Sequence, residues 1–161
     1  MRAAILWVLV TGGLFGCTKD PVAPEFASPS ATITTLFTTY DLADVPQTEI
    51  RRRFEAGERF KLLNPTLFQS CFSDWQGEHD EGLGGFVFGQ LVVAKDELVI
   101  EVDEDVARVR PKHGPEDLPP VLLVRQDAGW KIDLRQSIPA EIRQRLYEVN
   151  RRARRVERQA R

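Results

Sequence analysis

An α+β fold is predicted for this chain by three features: two capped, proline-led helix starts in the first half, two pairs of alternating apolar segments in the second, and an arginine-rich amphipathic stretch at the C-terminus. The 161 residues, 42% hydrophobic and 29% charged, suit one domain with its own core. A formal net charge of −2 removes the bulk electrostatic case for a nucleic-acid partner, so none is expected. Cys17 and Cys71 stand outside any CxxC pair, which leaves neither a disulfide framework nor a cysteine zinc site.

Residues 1–16 read as a secretory signal. Arg2 supplies a positive charge, and the apolar run from Ala3 to Val10 is too short to cross a bilayer, which takes about 20 residues. The segment ends in Leu14-Phe15-Gly16-Cys17, which resembles the lipobox of bacterial lipoproteins, although Phe15 departs from the smaller residue usual there. In that family the chain is cut just before the cysteine, whose thiol takes a diacylglyceryl group and whose amine is acylated. The resemblance therefore implies that Cys17 is the lipid-attachment residue and that the membrane is reached through this anchor. Thr18 follows, not the aspartate that marks inner-membrane retention in Gram-negative systems, so the periplasmic face of the outer membrane is the implied address. Residues 17–27 are polar and proline-spaced, as in a tether; ten extended residues would reach roughly 35 Å.

The folded part, residues 28–137, opens with helices. Ser28-Pro29 is a cap-plus-proline start, and Ile33, Leu36, Phe37 and Tyr40 form one face. After Pro46, Ile50 and Phe54 are four apart among charged neighbours, and Gly57 closes a short helix. Arg51, Arg52 and Arg53 fan out by about 100° each, so they read as a solvated face and not as an anion site. Asn64-Pro65 repeats the start signal, and Leu67, Phe68, Cys71, Phe72 and Trp75 supply a third apolar face. Within that stripe Cys71 reads as a buried thiol and not a nucleophile.

Gln76 to Gly85 is glycine-rich and acidic and reads as a loop. Glu78, His79, Asp80 and Glu81 carry metal-ligand chemistry, but consecutive side chains rarely converge and no calcium-loop spacing is present. The glycines lack a following GK[ST] or a GxGxxG, so no cofactor is expected. Phe86-Val87-Phe88 and Leu91-Val92-Val93, bracketing Gly89-Gln90, favour strand, with helix as the alternative.

Leu98–Val102 and Val106–Arg110 flank the acidic turn Asp103-Glu104-Asp105 as a hairpin; a polar loop with His113 follows. Val121–Arg125 and Trp130–Leu134 form a second hairpin around Ala128-Gly129, with Trp130, Ile132 and Leu134 on the covered face and Lys131 and Asp133 opposite. Helices followed by antiparallel strands ending in Gly129-Trp130-Lys131-Ile132-Asp133 resemble the nuclear transport factor 2-like superfamily from about Ser28 to Ser137. That resemblance implies a cone: N-terminal helices packed on a curved antiparallel sheet, with a pocket between them. The scaffold hosts isomerases, dehydratases and non-catalytic modules alike, so it does not fix a function.

Enzymes of that superfamily use a carboxylate or histidine inside the cone, with a tyrosine or second acid. His79 and His113 fall in loops, Asp133 falls on the uncovered face, and Tyr40 reads as core or pocket lining. No catalytic residue is carried over; a binding or structural module is the favoured reading and an isomerase- or dehydratase-like enzyme the alternative.

Residues 138–161 add a basic helix. Ile142, Leu146, Val149, Ala153, Val156 and Ala160 trace a heptad-like seam, and eight arginines against three glutamates between 141 and 161 give a local charge of +5. From Asp74 to Asp105 ten acidic residues face one lysine. Arg151, Arg152, Arg154, Arg155 and Arg158 are the candidate surface for anionic headgroups or an acidic protein partner. The competing reading is a helix end solvated or folded against the acidic stretch.

Overall fold

A computed structural model describes residues 21–115 and 118–159. Its architecture is α+β, with helices set against a four-stranded antiparallel sheet in the order β1-β2-β3-β4. The strands are β1 (Leu98–Asp103), β2 (Val106–Pro111), β3 (Val121–Gln126) and β4 (Gly129–Ile132). Val102 lies opposite Ala107, Ala107 opposite Leu123, and Leu123 opposite Ile132, so one apolar row crosses the sheet.

Four α-helices precede the sheet, the first three of them short. In α1 (Pro29–Thr38) Ser28 Oγ accepts from the Ala31 N–H at 3.1 Å, and Ile33, Leu36 and Phe37 are buried. Thr32 donates to the Trp130 carbonyl at 2.8 Å, which ties α1 to β4. In α2 (Gln47–Glu55) Ile50 is buried and Phe54 is exposed, so only half of the expected apolar pair packs. Asn64 caps α3 (Pro65–Ser70), accepting from the Leu67 N–H at 3.0 Å. The helical face read as far as Trp75 stops at Ser70, because Cys71–Ser73 lie beside the edge strand. The Cys71 carbonyl accepts from the Ile132 N–H at 2.8 Å, and Ser73 N–H donates to the Ile132 carbonyl at 2.9 Å.

The strand expectation for 86–93 is overturned: a 3₁₀ turn (Glu78–Asp80) leads into α4 (Glu81–Val92), which also takes in the end of the expected loop. Leu83, Val87 and Leu91 sit four apart and are fully buried, with Gly84, Phe88 and Val92 beside them. Packing overrides the low helix propensity of the glycines, and Gly84 lets the Phe68 and Phe72 rings lie against the helix where a methyl group would meet them.

Strand β4 is buried along its whole length, so Lys131 does not face water as alternation suggested. At 7% exposure its ammonium sits 2.9 Å from the centre of the Phe26 ring and donates to the Ser70 carbonyl at 2.5 Å. The far end of the expected tether is thus packed: Pro24–Phe26 forms a 3₁₀ turn and Phe26 is buried. Gly129, with φ +103°, lies under the Phe26 carbonyl and Val22, where no side chain fits. Strand β4 ends at Ile132, two residues before the expected Leu134, and Asp133 caps α5 (Leu134–Ser137) by accepting from the Gln136 N–H at 2.8 Å. Helix α6 (Ala140–Gln159) completes the fold.

Candidate functional site

Among the described residues the space between helices and sheet is packed mainly with side chains, apart from a hollow of about 240 Å³ between α1 and β1 lined by Ile33, Phe37, Leu98 and Ile100. Tyr40 stacks on Phe88 at 3.7 Å, Phe68 meets Phe72 edge-on at 5.0 Å, and Phe72 stacks on Trp75 at 5.4 Å. Burial, with Glu81 adding to it, pushes the Tyr40 phenol up to about 12, so Tyr40 is a packed ring in this cluster. Cys71 is buried, its thiol pushed up to about 12 by desolvation although Lys131 opposes the shift, so it carries no thiolate at neutral pH. His79 and His113 are exposed, and among the described residues no cluster of His, Cys, Asp or Glu has metal-binding geometry.

The acidic segment before α4 forms a bracket for α6. Asp80, 1% exposed, accepts from the Gln76 N–H at 2.7 Å and from the Tyr147 hydroxyl at 3.1 Å, and its second oxygen lies 3.5 Å from Arg135. Arg135 also pairs with Asp74 at 2.7 Å, which holds its guanidinium above the usual arginine range. Burial, then the Asp80 carboxylate, push the Tyr147 phenol up. Ile142 and Leu146 pack on the core beside Tyr147, and the Asn150 amide lies against Gly82 of α4, where a methyl group would collide with it. Sequence reasoning missed Tyr147 and Asn150 and weighed Asp80 only as a metal ligand, because the loop reading gave residues 78–82 no fixed orientation. The opposed charges of the two segments were the available signal.

Among the five candidate arginines the structure separates one from four. Arg154 pairs with Glu78, donates to the Glu78 carbonyl at 2.6 Å and lies 3.6 Å from Glu81, so it belongs to the bracket. Arg151, Arg152, Arg155 and Arg158 are exposed and meet no carboxylate among the described side chains. Arg151, Arg155 and Arg158 recur at i, i+4 and i+7, within about 60° of one another, and form one ridge. Val149 and Val156 are 60% and 66% exposed, so the heptad-like seam packs only in its first two turns. Cys17 lies outside the described residues, and no helix among them is long and apolar enough to cross a membrane.

The chain matches no protein-family model, no curated protein and no solved structure.

Proposed function

We propose that the protein is a lipid-anchored, non-catalytic module of nuclear transport factor 2-like arrangement, held through Cys17 at the periplasmic face of the outer membrane. Its α6 ridge engages anionic headgroups. The observation that carries this reading is the division among the arginines: the fold takes up Arg154 and leaves Arg151, Arg155 and Arg158 together and unpaired among the described side chains. Val149 and Val156 are exposed on the other side of α6, roughly 100–180° around the helix from the ridge, so the ridge meets headgroups by charge alone. The aromatic filling of the interior supports binding over chemistry. The order of elements, helices and then an antiparallel meander, supports the superfamily arrangement.

Two measurements test it. Radiolabelled fatty acid is expected to mark the wild-type protein and not a Cys17→Ala variant; equal absence of label removes the anchor. The full chain carrying Cys17→Ala is expected to co-sediment with vesicles containing phosphatidylglycerol and not with pure phosphatidylcholine. Arg151→Gln/Arg155→Gln/Arg158→Gln should weaken this roughly 100-fold, at about 1 kcal/mol per arginine near an anionic surface. Indifference to vesicle charge would transfer the ridge to the second reading, an acidic protein partner.

A further inference from the structure

We infer that the free edge of β1 docks a strand from a protein partner, independently of the anchor and of the α6 ridge: an extended segment with apolar residues at alternate positions and lysine or arginine at its N-terminal end. Among the described residues β1 pairs only with β2, and none bonds to its other side. The ladder fixes which backbone groups that side presents. Lys112 N–H donates to the Glu97 carbonyl at 2.8 Å, so Glu97, Val99, Glu101 and Asp103 turn their backbone groups to β2, and Leu98, Ile100 and Val102 turn theirs outward. These three outward positions carry neither proline nor charge, and the register runs without a bulge, so nothing blunts the edge against pairing.

The side chains along the edge define the occupant. Leu98 and Ile100 line the 240 Å³ hollow with Ile33 and Phe37 of α1, and Val102 beyond them is 56% exposed. A residue added directly opposite Ile100 puts its side chain on this same face, so alternate apolar side chains of an added strand run along α1 and into the hollow. Edge bonds for affinity and a side-chain pocket for specificity are what strand addition uses. Lys95 in the hollow's wall is already engaged, donating to the Ala43 carbonyl at 2.8 Å and lying 3.3 Å from Asp96. Charge sets the direction. Glu101 is matched by Arg110 at 3.0 Å, whereas Asp103, Glu104 and Asp105 at the end of β1 are exposed and meet no cation among the described residues. An antiparallel strand brings its N-terminal residues to this turn, where lysine or arginine complements it. A second copy of β1, paired antiparallel about Ile100, would instead set Glu97 and Asp96 against Asp103 and Glu104.

Calorimetric titration of the full chain with the peptide acetyl-KRVTVTV-amide is expected to give saturable, one-to-one binding that weakens as salt is raised. Methylating the backbone nitrogen of the central valine, which bonds to the Ile100 carbonyl in this pairing, should weaken binding about tenfold, whereas methylating that of the threonine before it, which points away from β1, should change it about twofold at most. Thr34 is exposed on α1 and lines the hollow, so Thr34→Trp, with an unchanged melting temperature, should fill the hollow and weaken binding about tenfold. Acetyl-QQVTVTV-amide should bind about fivefold more weakly than the basic peptide, and Asp103→Asn/Glu104→Gln/Asp105→Asn should abolish that difference. The proposal is overturned if the wild-type protein takes up no basic peptide saturably, if the two methylated peptides bind equally, or if the folded Thr34→Trp variant binds as wild type does. It is overturned too if sedimentation shows a dimer that the peptide dissociates, which gives the edge to a second copy.

Discussion

Arg154 and Glu78, 76 positions apart in the chain, join the C-terminal half of α6 to the turn that precedes α4, the guanidinium reaching both the side chain and the carbonyl of its partner. Exposed pairs of this kind contribute little to global stability, about 0–1 kcal/mol. Their effect is local. Arg154→Gln should leave the urea midpoint nearly unchanged while speeding amide exchange over residues 152–159 and leaving 140–147 protected. Uniform exchange along α6 in both proteins would refute the bracket.

Asp80 is different because it is buried and three groups depend on it. Asp80→Ala strands the Tyr147 hydroxyl and the Gln76 N–H and removes one of the two carboxylates at Arg135, and should cost about 3 kcal/mol in urea denaturation. Tyr147→Phe removes one hydrogen bond and should cost about 1 kcal/mol. Equal losses from the two variants would show that Asp80 is not the centre of the network.

The alkaline limit of stability is set by buried acids. The Cys71 thiol titrates near 12 in the fold against an ordinary 9.0, so above pH 9 the unfolded chain releases a proton that the folded chain retains. Stability therefore falls as pH rises through this window, and Tyr40, moved from 10.0 to about 12, acts in the same direction. Lys131 acts oppositely, because its lowered value leaves the unfolded chain holding more protons below 10.5, so stability rises with pH there. Cys71→Ala should cost about 1 kcal/mol at pH 7 through the small cavity, yet lose about 2 kcal/mol less than wild type between pH 7 and 10.5. Parallel losses would sink the assignment.

Two neighbouring glycines of α4 should respond with opposite signs. A methyl group at Gly84 would stand 2.5 Å from the Phe68 ring, so Gly84→Ala should destabilise by about 1–3 kcal/mol. Gly85 has open space around its Cβ position, and Gly85→Ala should stabilise by about 0.5–1 kcal/mol through helix propensity. Thermal melts of the pair decide the matter.

What could be read from the residues alone follows how local the cause was. Ser28 and Asn64 cap their helices through contacts three residues away, and both hairpins follow from alternation around short turns, so these elements were legible in advance. Helix α4 was not, because Gly82, Gly84 and Gly85 argue against helix until the Asn150 amide is known to press on Gly82 and the Phe68 ring on Gly84. The burial of Lys131 was hidden for the same reason: its cover, Phe26, lies 105 positions earlier, in a segment whose composition reads as open chain. At the basic end, charge alone marked five arginines, and only the fold of the acidic turn withdrew Arg154 from them.

The seating of Phe26 under Lys131, with Val22 against Gly129, shortens whatever hangs between the folded body and position 17. Four residues, 18–21, span about 14 Å at full stretch, less than half of what the composition suggested. With Cys17 acylated as proposed, the body is moored close to the lipid surface instead of ranging above it.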